Sequence, residues 1–267
     1  MDLQLEGKRA LVTGGSRGIG KAIARVLAEE GADVALLARN TQTLAAAAAV
    51  IAAATGRRVI GVVGDTTSDT QTREAIAQAV QQLGGSIDIL VNAAAEPAGF
   101  AGPPKLQQIS GEYFHAEMDT KVMGYIRCAR EVVDGMRAQG WGRIVNISGL
   151  AARQSGSAVG SMRNIAVAAL TKNMADELGP AGIQVTVVHP GLTRTERTAP
   201  LVADRAREQG VAESAIEAQM AAGNSIQHLV TADEVAWVVA FLCSPKSRAI
   251  NGDAIAAGGG APRSIHY

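Results

Sequence analysis

The residues best suited to chemistry form a glycine-rich turn, Thr13-Gly14-Gly15-Ser16-Arg17-Gly18-Ile19-Gly20. It follows a short apolar run and opens a helical stretch. Such a turn can hold an anion. Glycines let a phosphate approach backbone N–H groups that a β-carbon would screen, and the start of a helix favours negative charge. The spacing is Gly-x3-Gly-x-Gly rather than the common Gly-x-Gly-x-x-Gly fingerprint. The strand–turn–helix setting is what gives the turn its weight. Gly14, Ser16, Arg17, Gly18, Ile19 and Gly20 are expected to hold the diphosphate of a dinucleotide.

The end of the second apolar run bears on which dinucleotide. A site for NAD usually has a carboxylate there to bond the ribose hydroxyls. Here Ala38 occupies the position and Arg39-Asn40 follow, while Asp33 begins the run at its far end. Arg39, assisted by Arg17, can pair with a 2′-phosphate. The expected cofactor is NADP(H), with Arg39 and Asn40 at its ribose.

These residues need a scaffold. Strands are expected at Arg9–Thr13, Asp33–Ala38, Arg58–Val63, Ile87–Asn92, Arg143–Ser148, Ile183–His189 and Ala254–Ala256. Most are near-continuous Val, Ile, Leu and Ala, as in parallel strands covered on both faces. Helices are expected at Lys21–Glu30, Thr41–Thr55, Asp69–Leu83, about Glu112–Gln139 and Val159–Leu178. The alternation predicts an α/β fold: one doubly wound Rossmann-type parallel sheet of about seven strands, helices on both faces. Residues 1–267 read as one dinucleotide-binding domain. Residues 192–229 are polar and break the rhythm after a strand's carboxyl end. They are a candidate lid, or else a surface excursion without a gating role.

Lysine plus arginine equals aspartate plus glutamate, 25 each, which gives no sign of a nucleic acid or anionic membrane partner. No targeting segment or bilayer-length apolar run is evident, so a cytoplasmic protein is expected. Cys128 and Cys243, both within helical stretches, read as reduced core residues. No metal site is expected.

Several further motifs follow in a fixed order. Gly64-Asp65 follows the third strand; Asp88-Ile89-Leu90-Val91-Asn92-Ala93-Ala94-Ala95 spans the fourth; His189-Pro190-Gly191-Leu192-Thr193-Arg194-Thr195 follows the sixth; Asn251-Gly252-Asp253 leads to Gly258-Gly259-Gly260. With the glycine turn they resemble the short-chain dehydrogenase/reductase family from Leu5 to about Gly260. The resemblance implies that Asp65 contacts the adenine and that Asn92, Pro190, Gly191, Thr193 and Thr195 lie along the cofactor. It implies hydride transfer at a carbonyl or alcohol of a small molecule, and a homodimer or homotetramer paired through the two long helices. Ala93 and Ala95 depart from the family's Asn-Asn-Ala-Gly segment, and His189 reads as structural.

The catalytic slots depart further. Counting back from Leu170-Thr171-Lys172, the family's Tyr-x3-Lys falls on Gly160 and Asn164. No tyrosine lies between Ile126 and Arg263. The serine slot falls on Gly149, with Ser148 beside it. The asparagine slot falls on Lys121, so lysine and asparagine stand exchanged. Lys121, Ser148 and Asn164 are the catalytic candidates; Ser161, Arg163, Glu96, Tyr113 and His115 are further pocket residues. Three readings stay open: an oxidoreductase with a non-standard proton donor, a cofactor-binding pseudoenzyme acting as sensor or oligomer subunit, and a lyase-type reaction using Lys121. Lys121 lying along its helix toward solvent would favour the second.

Overall fold

The computed structural model describes residues 1–95 and 102–262. Its strands are β1 (Arg9–Thr13), β2 (Asp33–Ala38), β3 (Val59–Val63), β4 (Ile89–Asn92), β5 (Gly142–Ile147), β6 (Ile183–Pro190) and β7 (Ala254–Ala257). They form one parallel sheet in the order β3-β2-β1-β4-β5-β6-β7. The winding reverses between β1 and β4, where Thr13 lies level with Asn92. A crevice at the carboxyl ends of strands beside such a reversal is where doubly wound sheets bind ligands.

The helices are α1 (Gly18–Glu29), α2 (Thr41–Thr55), α3 (Asp69–Leu83), α4 (Gly111–Met118), α5 (Gly124–Gln139), α6 (Ala158–Leu178), α7 (Thr198–Gln209), α8 (Glu213–Ala221) and α9 (Ala232–Cys243). Consecutive strand residues point to opposite faces. Val12, Val91 and Val145 pack with Leu27, Leu44 and Val235 of α1, α2 and α9. Leu11, Leu90 and Ile144 pack with Ile76, Val132 and Leu178 of α3, α5 and α6. Covering both faces is why the strands read as unbroken apolar runs. Cys128 and Cys243 are free and buried, and burial pushes both thiols up to about 12.

Three differences from the sequence reading bear on the site. Helix α1 begins at Gly18 rather than Lys21, so the last glycines of the turn are already its first residues. The expected helix over Glu112–Gln139 is interrupted: a single π turn, Asp119–Met123, joins α4 to α5. Such turns insert a residue into the helical ladder and occur frequently at functional sites. Arg127 braces this one. Its Nη2 donates to Asp119 Oδ1 at 2.8 Å, its Nε to Asp69 Oδ2 at 3.1 Å and its Nη1 to the Thr66 carbonyl at 3.1 Å. Third, the polar segment after β6 contains α7 and α8, with a small apolar core of its own around Val202, Ile216, Met220 and Leu229.

Candidate active site

The glycine turn folds tightly over the end of β4. Gly14 has φ +65°, and a β-carbon there would lie 2.9 Å from the Ala93 carbonyl oxygen; one on Gly20 would lie 2.4 Å from the Gly14 oxygen. Thr13 Oγ1 accepts from Ala93 N and Ala94 N, both at 3.0 Å, and so ties the two strand ends together. The first N–H groups of α1 open onto a crevice of about 920 Å³. A β-carbon at either glycine would strike neighbouring backbone, so glycine is what lets the turn fold this tightly, and the N–H groups it leaves at the start of α1 suit a diphosphate.

Gly14, Ser16, Arg17, Gly18, Ile19, Gly20, Arg39, Asn40, Asp65, Pro190, Gly191, Thr193 and Thr195 all line this crevice, as do Lys121, Ser148 and Asn164. Asn40 has a structural task too: its side chain caps α2 by accepting from Thr43 N at 2.9 Å. Asp65 Oδ1 accepts from Thr67 N and Oγ1, fixing the turn after β3. Asp33, the nearest acidic residue on β2, is engaged by Arg57 at the strand's other end. Asn92 lies beneath the crevice rather than in its lining. Its Nδ2 donates to Asn146 Oδ1 at 3.0 Å, and Asn146 donates in turn to Thr171 Oγ1 at 2.9 Å. This buried polar chain locks β4, β5 and α6 together under the site. The sequence signals Asn146 only as a polar residue within an apolar strand.

At the other end of the crevice, α5's preceding π turn faces α6. Lys121 is 5% exposed. Its Nζ donates to the Ser148 carbonyl at 2.9 Å and to Asn164 Oδ1 at 3.3 Å. It therefore turns inward, and the solvated orientation considered from the sequence is not adopted. Burial pushes the Lys121 ammonium down to about 7; the Arg163 guanidinium acts in the same direction and Glu117 opposes it. Arg163 also lines the crevice and is paired with Glu117 of α4. The Ser148 hydroxyl donates to the Asn164 backbone carbonyl at 3.1 Å. Gly149 N–H faces His189 Nδ1 at 3.4 Å, consistent with a structural histidine.

Gly160 sits in the first turn of α6, where the Ser157 side chain accepts from its N–H. Among the described residues no tyrosine lines the crevice. Tyr125 offers no substitute: its hydroxyl donates to the Ile147 carbonyl at 2.7 Å, and complete burial raises its pKa above the ordinary range. Ser161 Oγ donates to the Gln154 carbonyl at 2.9 Å. Tyr113 and His115 lie on α4 outside the crevice lining. Glu96 lies outside the described residues.

The candidate lid contributes Thr195, Arg197, Thr198, Leu201, Met220 and Asn224 to the crevice wall. Its base is pinned where Arg194 bridges Thr231, the residue that caps α9. One contact reaches the cofactor cradle: Gly18 N–H donates to Glu196 Oε1 at 2.8 Å. A carboxylate at a helix N-terminus is worth about 0.3–1 kcal/mol, and here it stands where a phosphate would seek the same dipole. Glu196→Gln is expected to tighten NADPH binding by about two- to five-fold. Isothermal titration of both proteins checks this, and an unchanged or weaker affinity would contradict it.

Comparison with known proteins places this geometry. The family model for short chain dehydrogenases matches residues 8–206. The chain is 34% identical over 254 residues to the short-chain reductase protein NovJ of Streptomyces niveus, spanning 95% of this chain and 93% of that protein. It is 30% identical over 260 residues to the NADPH-dependent reductase BacG of Bacillus subtilis, spanning 97% and 99%. The crystal structure of L-sorbose reductase from Gluconobacter frateurii, complexed with NADPH and L-sorbose, superposes with a TM-score of 0.91 at 28% identity, covering 99% of this chain and 100% of that one. By sequence, topology and the glycine cradle alike, the chain belongs to the short-chain dehydrogenase/reductase family of oxidoreductases.

Proposed function

We propose that this chain is an NADP(H)-dependent oxidoreductase acting at the carbonyl or hydroxyl carbon of a small molecule, with Lys121 serving the substrate oxygen. The observation that carries this reading is the buried Lys121 Nζ in the crevice, held between the Ser148 carbonyl and Asn164 Oδ1. A bound nicotinamide supplies or accepts hydride. The protein's part is to bind the dinucleotide and to meet the charge that develops on oxygen. In other members of the family a tyrosine beside a lysine does this; here the corresponding positions are Gly160 and Asn164. Lys121 reaches the same crevice from the facing helix. As an ammonium it can donate to the substrate oxygen and stabilise a developing alkoxide. Asn164 and the Ser148 carbonyl orient it. Arg39 and Arg17 favour the phosphorylated dinucleotide, since no carboxylate ends β2.

The absence of a phenol at Gly160 favours a second reading, a cofactor-binding protein without turnover. A screen of aldehydes and ketones with NADPH, followed by product analysis, separates the two. Turnover that depends on Lys121 supports the first. Tight NADPH binding with no turnover of any substrate supports the second.

The chain is also proposed to be a homo-oligomer. Met123 at the head of α5 and Met162 and Ile165 on α6 are 39%, 47% and 52% exposed. Apolar side chains this exposed on neighbouring elements suit a self-complementary interface. Light scattering at micromolar protein is expected to give at least a dimer mass, and a monomer mass would contradict it. Among the described residues no helix is long and apolar enough to cross a membrane.

A further inference from the structure

Lys121 has no carboxylate partner among the described residues; its two hydrogen-bond acceptors are the Ser148 carbonyl and the Asn164 amide oxygen, both uncharged. An ammonium has three N–H donors, whereas a neutral amine has two and keeps a lone pair. Two acceptors are what the neutral amine needs. The charged groups that act on it are Arg163 and Glu117, which are paired with each other. Burying an ammonium without a counter-ion is costly, so the surroundings favour the uncharged form. A desolvated lysine beside another cation is one of the ways proteins make an amine nucleophilic. The other five lysines of the chain, Lys8, Lys21, Lys105, Lys172 and Lys246, are all more exposed.

We propose that Lys121 is a nucleophile that captures aldehydes and ketones entering the crevice as a covalent imine. The inference goes beyond the oxidoreductase reading and does not rest on it: the charged form serves a substrate oxygen, the neutral form attacks a carbonyl carbon. In the capture step the Nζ lone pair forms a bond to the carbonyl carbon while the C=O π pair moves to oxygen. A proton passes from nitrogen to that oxygen, giving a carbinolamine. Loss of water, with the nitrogen lone pair forming the C=N bond, gives the imine. No oxidant or reductant is consumed. Once protonated on nitrogen, the imine takes up the electron pair of an α-carbanion as an enamine, so the chemistry it permits is exchange of an α-proton or cleavage of the bond between the α and β carbons. Ser148 and Asn164 hold Nζ in place for attack.

The test is reductive trapping. The native protein, without added cofactor, is incubated near neutral pH with acetone and sodium cyanoborohydride. Intact mass and peptide mapping then report isopropylation at each lysine. A lysine with an unperturbed pKa of about 10.4 is neutral in only about one molecule in a thousand under these conditions. Lys121 is therefore expected to label at least about ten-fold faster than any other lysine, after allowing for its restricted access. Asn164→Asp places a carboxylate at an atom already 3.3 Å from Nζ, which holds the lysine as an ammonium. That variant is expected to lose the preferential label while Lys8, Lys21, Lys105, Lys172 and Lys246 label as before. Labelling of Lys121 no faster than those surface lysines, or equal labelling in the Asn164→Asp variant, would overturn the proposal. In each protein Lys121 is read against the five other lysines of the same chain, and an unchanged circular dichroism spectrum and melting temperature for Asn164→Asp show that its lost label is not lost folding.

Discussion

Lys121→Met is expected to lower turnover of any carbonyl substrate by about 10²–10³-fold, the usual effect of losing one donor to a developing oxyanion. The unmutated protein is itself expected to be slow with ordinary aldehydes and ketones. A positioned general acid is typically worth about 10²–10⁴-fold, and Gly160 supplies none. If Lys121 acts as the ammonium, activity should fall as pH rises through about 7, where burial places its titration. The same shift has a consequence for stability that is independent of activity. In the unfolded chain the lysine titrates near 10.4; in the folded chain, near 7. Between those values the unfolded state binds a proton that the folded state has lost, so stability rises with pH, by at most about 1.4 kcal/mol per unit. Below the window both states are protonated and the cost of burial is constant. Chemical denaturation from pH 7 to 10 should show this rise, and Lys121→Met should flatten it. Parallel curves for the two proteins would mean that the lysine is not titrating in the crevice.

Arg39→Asp is expected to reverse cofactor choice. A hydrogen bond to a charged group contributes about 1.5–3 kcal/mol, and the new carboxylate would repel the 2′-phosphate while bonding ribose hydroxyls. NADPH should bind about 10²-fold more weakly, and NADH should match or exceed it. The residues around the site agree with this direction: Ala38 ends β2 without a carboxylate, and Asp33 is held by Arg57. Dissociation constants for both dinucleotides, read by fluorescence titration, decide it. Equal constants in the unmutated protein would remove the basis for assigning Arg39 and Arg17 to the phosphate.

The sheet was legible because its signals are local. Apolar runs such as Val34–Leu37, bounded by Gly31 and Asn40, declare strands whatever surrounds them. The π turn was not legible: one extra residue at Asp119–Met123 leaves the apolar stripe of Glu112–Gln139 intact, so periodicity reads one helix. Helices α7 and α8 are not legible because their sequence is polar and their core is a local cluster. Helix α9 carried a usable sign, Thr231 three residues before Glu234, whose reciprocal hydrogen bonds form its capping box. In the site, the exchange of lysine and asparagine could be inferred from spacing, but not which way Lys121 points; that depends on the π turn and on the Arg127 brace beneath it. Glu196 on Gly18 N–H and Glu117 on Arg163 join residues 178 and 46 positions apart and left no trace in either local sequence.

The most direct measurement follows hydride and lysine together. NADPH deuterated at the transferable position of the nicotinamide is incubated with a panel of aldehydes and ketones, and products are examined by mass spectrometry for the unmutated protein and for Lys121→Met. The predicted result is an alcohol carrying deuterium at the former carbonyl carbon, formed by the unmutated protein and at least about 10²-fold less by the variant. Equal rates for the two proteins, or NADPH binding with no deuterated product from any carbonyl, would contradict a Lys121-centred oxidoreductase.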